Sequence, residues 1–134
     1  MDKQAIFNQV AAHLIKQNKK SMAVVEGHYS TELQCAYRSV DENGNVLKCA
    51  IGCLIPDEFY YKAMEGVIVP AIVNRYYALR KHLDIANIDN DYQENQQDIS
   101  FLAGLQTIHD LHKPKHWRDK LASFAERFEL SFEQ

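Results

Sequence analysis

The sequence predicts an α+β fold, a helix-rich single domain of about five helices with one β-hairpin near residues 34–51. Three features of the chain point there. Apolar residues recur at helical spacing in several separate stretches. An Asn43-Gly44 pair sits between two short runs that alternate in polarity. The 134 residues, 46% hydrophobic and 25% charged, supply one core but not two, so residues 1–134 read as one domain.

Residues 3–19 read as the first helix. Ile6, Val10 and Leu14 make its stripe, widened by Phe7, Ala11 and Ile15. Asp2 stands as its N-cap, and Lys16, Lys19 and Lys20 suit the negative end of the helix dipole. The hairpin follows. A two-residue turn at Asn43-Gly44 sets Val40 opposite Leu47 and Arg38 opposite Cys49, which gathers Val40, Leu47, Cys49 and Ile51 on one face.

Pro56-Asp57-Glu58 opens a short helix to about Glu65, closed by Gly66. Ile72, Tyr76, Leu79 and Leu83 give a clearer helix over 69–83. Residues 84–97, acidic and rich in Asn and Gln, read as a polar surface loop, with Asn95 and Asp98 in a capping arrangement at its end. Phe101, Leu102, Leu105 and Ile108 carry a helix to about His112, where Pro114 breaks it. Trp117, Leu121, Phe124 and Phe128 form the stripe of a last helix over about 115–129.

Composition excludes several function classes. A net charge of −3 argues against a nucleic-acid partner, whose binding domain is ordinarily strongly basic. No run of about 18 apolar residues exists, so no membrane partner is expected. The N-terminal residues lead into an amphipathic pattern rather than a signal-peptide core. Three cysteines, an odd count, make no disulfide framework. These features predict a cytoplasmic protein with reduced thiols. Asp89–Glu94 begins like a calcium loop, but Glu94 stands where a glycine is required and Ser100 where a glutamate is. No phosphate-binding glycine motif, GxSxG or HExxH occurs.

Chemistry centres on Lys48-Cys49-Ala50-Ile51-Gly52-Cys53-Leu54-Ile55-Pro56. Cys49 at a strand-to-helix junction is a candidate nucleophile, since a helix N-terminus favours thiolate. His109-Asp110 is the natural candidate for the base, since His109 falls seven residues after Leu102 and four after Leu105 and can face inward. Cys49, His109 and Asp110 together would suit acyl transfer, as in a thiol hydrolase. Cys49, Cys53, His109 and His112 form an alternative set for zinc, although CxxxC with HxxH is not a zinc signature of the paired-CxxC kind. Against both stands the plain reading that Cys49 and Cys53 are small core hydrophobes among Ala50, Ile51, Leu54 and Ile55. His109, His112 and His116, set among Lys113, Lys115, Arg118 and Lys120, read first as a solvated basic face.

Cys35-Ala36-Tyr37-Arg38, then Lys48–Glu58, then Met64-Glu65-Gly66, with a later Leu105-Gln106-x-x-His109-Asp110 and Trp117 in the last helix, resembles a family of small uncharacterised phage and bacterial proteins. The resemblance covers most of the chain except residues 84–97. It implies no activity or cofactor. It implies a phage or mobile-element setting, in which small accessory proteins bind and modulate host machinery. The function expected is therefore a non-catalytic accessory protein that binds a host protein, with a homodimer as one form. The alternatives are the thiol hydrolase and the small zinc-stabilised domain.

Overall fold

A computed structural model of the chain describes residues 1–24 and 33–133. The helix-rich α+β architecture is as expected, with five α-helices and two small antiparallel ladders among the described residues. Helix α1 (Lys3–Gln17) starts where the Asp2 carboxylate accepts the Ala5 N–H at 3.0 Å. It stops at Asn18, whose φ of 48° is left-handed and whose N–H caps Leu14 O, so Lys19 and Lys20 lie past the helix end. Phe7, Val10, Ala11 and Leu14 are its buried face, packed on α5 (Pro114–Arg127), α4 (Tyr92–Leu111) and the Gly52–Leu54 turn.

The hairpin is real, but its register differs by one residue. Strands β3 (Arg38–Val40) and β4 (Val46–Lys48) pair Val40 with Val46 and Arg38 with Lys48. The Asp41 carboxylate accepts the N–H groups of Asn43 and Asn45, both at 2.9 Å, and Gly44 adopts φ 82°. Those contacts select a turn closed by one left-handed glycine and take one more residue than the tight two-residue turn. Consequently Ser39 and Leu47 face the core, while Val40 and Val46 are 65% and 61% exposed. A second ladder, not foreseen, joins β1 (Met22–Ala23) to β2 (Gln34–Cys35).

The short helix expected after Pro56 is two 3₁₀ turns, Asp57–Phe59 and Lys62–Met64, separated by extended Tyr60 and Tyr61. Tyr60 is held out of the helix by its own contacts. Its hydroxyl donates to Glu65 at 2.7 Å, and the Arg38 guanidinium lies over its ring at 4.4 Å. Gly66 closes the segment at φ 79°, as expected. The helix over 69–83 is broken at Tyr76 into α2 (Val69–Arg75) and α3 (Tyr77–His82), and the Tyr76 ring stacks on Tyr61.

The 84–97 stretch is a loop only as far as Asp91. Asp91, not Asn95, caps α4, accepting the Glu94 N–H at 3.0 Å. Asn95 and Asp98 are buried instead, tying the loop down through Ala86: Asn95 Nδ2 donates to Ala86 O, and Ala86 N–H donates to Asp98. Helix α4 is the central pillar. Its Phe101 meets Phe124 and Phe128, and Phe124 stacks on Phe7. No helix among the described residues is long and apolar enough to cross a membrane.

Candidate functional site

The segments 35–38, 48–58, 64–66 and 105–110 come together. Arg38 Nη2 donates to Asp57 at 2.8 Å and to Ile55 O at 3.0 Å. Glu65 accepts the backbone N–H groups of Tyr37 and Arg38, at 2.8 and 3.0 Å. Gly52 sits where a Cβ would lie 2.0 Å from Tyr37 O, so only glycine lets the two segments touch. Gln106 Oε1 accepts the Ile51 N–H at 3.0 Å and joins the turn to α4.

Around this junction lies a cleft of about 330 Å³. Cys35, Ala36 and Tyr37 form one side, Gly66 to Pro70 a second, and Ala103, Gln106, Thr107 and Asp110 of α4 a third, with Cys49 also in the wall. Each of those four segments thus contributes to one concave surface.

His109 stands behind it, fully buried and stacked on Trp117 with ring centroids 5.4 Å apart. Its Nε2 accepts the backbone N–H of Ser21 at 3.0 Å. Nε2 therefore carries no proton, and Nδ1–H donates to Asp110 Oδ1 at 2.8 Å. Gln106 Nε2 donates to the same oxygen at 2.7 Å. Burial pushes the Asp110 carboxyl up, but hydrogen bonds from His109, Cys35 and Gln106 outweigh it and hold the group below its ordinary range. Asp110 is thus an anion at neutral pH.

His109 and Asp110 are hydrogen-bonded to each other; no hydrogen bond joins Cys49 directly to either, but the Gln106 side chain that donates to Asp110 also acts on the Cys49 thiol. Cys49 is 1% exposed, and its sulfur accepts the Gly52 N–H at 3.3 Å. Burial pushes its thiol far above neutrality, overriding that N–H. Cys53 donates to Ala50 O at 3.0 Å and is pushed up to about 12 by burial. All three cysteines are free.

The thiol nearest the His–Asp pair is one the sequence did not single out, Cys35. Burial and the Asp110 charge push it up to about 11, and it lies 3.6 Å from Met22 Sδ. Among the described residues, the ligand-capable set gathered within 4.8 Å is Cys35, His109 and Asp110; Cys49, Cys53 and His112 lie outside it. Those three fit a metal poorly. A neutral imidazole that coordinates through Nδ1 carries its proton on Nε2, which here would face the Ser21 N–H donor. His112, at the end of α4, offers its carbonyl to Trp117 Nε1 at 2.9 Å. Cys35 and Gln106 could have been found from the motif, since Gln106 and Asp110 are one helical turn apart; Ser21 gave no signal.

Compared with protein-family models, curated proteins and solved structures, the chain matches none.

Proposed function

We propose that this chain is a non-catalytic binding protein, of the accessory kind implied by its phage-type resemblance, and that the cleft beside Asp110 is where it receives its partner. The observation that carries the proposal is the Ser21 N–H on His109 Nε2. A general base needs a free lone pair within reach of the proton it takes, and the one lone pair of this imidazole is occupied. Neutral thiols and an engaged histidine do not make an activated nucleophile. An anionic cleft that unites four sequence segments supports a recognition role instead.

Iodoacetamide labelling at neutral pH, followed by mass spectrometry of each cysteine, tests this. Cys35, Cys49 and Cys53 are expected to label more slowly in the folded chain than after unfolding. A thiol that labels faster in the folded chain would be an activated nucleophile and would return the thiol hydrolase to the front.

A further inference from the structure

We infer that the cleft takes the cationic side chain of a partner protein, a lysine or arginine whose charged tip meets the carboxylate of Asp110. Resting on the binding function proposed above, this names the chemistry that the cleft recognises.

Asp110 supplies the charge. Its Oδ1 accepts from two donors, His109 Nδ1 and Gln106 Nε2, and both are neutral. No lysine or arginine among the described residues is ion-paired with that carboxylate. Lys20 Nζ donates at 2.9 Å to the Asp110 backbone carbonyl instead. A partly buried carboxylate held only by neutral donors gains from a cation that enters with its own hydrogen bonds.

The walls suit the rest of such a side chain. Val67, Ile68, Val69, Pro70 and Ala103 present apolar surface on which a methylene stem packs while its head reaches the acid. A volume of about 330 Å³ admits one long side chain and no folded element. Ile68, which also lines the cleft, is 71% exposed. The main chain flanking an inserted side chain would cover it, whereas a free amine would leave it bare. This favours a cation carried by a protein.

A titration of the ¹⁵N-labelled full chain, followed by amide shifts, tests the inference. The probes are blocked Gly-X-Gly peptides with X lysine, arginine or norleucine, together with n-butylamine and zinc ion. The lysine and arginine peptides are expected to shift the amides of Cys35, Val67 to Val69 and Thr107 to Asp110 saturably, more weakly at high salt. The uncharged norleucine peptide and n-butylamine are expected to bind less well than the lysine peptide. Asp110→Asn keeps an acceptor for His109 and Gln106 but removes the charge, and should weaken the lysine peptide by about tenfold, the loss of one partly desolvated ion pair.

Thr107→Lys, at an exposed cleft position, guards against misfolding of that variant; its own ammonium should occupy the site and displace the peptides. Norleucine matching lysine, n-butylamine matching the lysine peptide, no shift with any peptide, or shifts with zinc alone would each overturn the inference. Rapid thiol alkylation would overturn the non-catalytic function without changing these isotherms. Slow alkylation without peptide binding would overturn only the cation.

Discussion

The backbone N–H of Ser21 donates to Nε2 of His109 at 3.0 Å, across 88 residues of chain, and this contact fixes what the imidazole does. It sets the tautomer, aims Nδ1–H at Asp110 and joins α4 to the start of β1. Lys20, one residue earlier, adds a second tie through the Asp110 carbonyl. His109 is thereby a strut of the fold that also shapes the cleft.

Replacing His109 should cost stability accordingly. His109→Phe keeps a ring against Trp117 but leaves the Ser21 N–H buried without an acceptor. The expected loss is about 2–3 kcal/mol in urea unfolding, the cost of an orphaned buried donor plus a lost bond to a carboxylate. An unchanged midpoint would show that the strut carries no load.

Two glycines give an ordered pair of outcomes. At Gly52 a Cβ meets backbone, Tyr37 O, at 2.0 Å. At Gly104 it meets the end of the Phe124 ring at 2.9 Å, and a ring can swing. Gly52→Ala should therefore cost about 3 kcal/mol or prevent folding, and Gly104→Ala roughly 1 kcal/mol or less, by the usual range for overpacking. Equal thermal midpoints for the two variants would contradict the close approach of Tyr37 to Gly52.

Much of this was legible in the sequence, for identifiable reasons. The stripe of α5 and the capped start of α1 are local patterns, and local patterns survive folding. The hairpin register was lost because Asp41, a side chain outside the Asn43-Gly44 dipeptide, chose the turn. The start of α4 was misplaced because Asn95 and Asp98 look like loop residues, yet both are buried to hold Ala86. The site was half legible. His109 and Asp110, neighbours in sequence, are hydrogen-bonded in the fold. Their third partner is a backbone amide, and every residue except proline has one, so no residue type could announce Ser21.

Acid should weaken the fold in two stages. His13 Nε2–H donates to Lys48 O at 2.8 Å, and burial lowers the His13 pKa from its ordinary 6.5. Asp110 is lowered too, from 3.8, because the hydrogen bonds it accepts outweigh its burial. A group whose folded pKa is depressed contributes stability above its unfolded value and loses it as pH falls through the folded value. Unfolding free energy should thus decline below about pH 6.5 through His13 and again below about pH 3.8 through Asp110. In His13→Gln the first decline should shrink. Stability that rises between pH 7 and 5 would have the wrong sign for this linkage.

The most direct test of the central claim is the protonation of the His109 ring, read from long-range ¹H–¹⁵N correlation of the histidine side chains at neutral pH. The expected result is a proton on Nδ1 alone, with Nε2 unprotonated and hydrogen-bonded to Ser21. A proton on Nε2, or rapid averaging between the two tautomers, would mean that the Ser21 contact does not hold the ring, and the non-catalytic account of this site would fail.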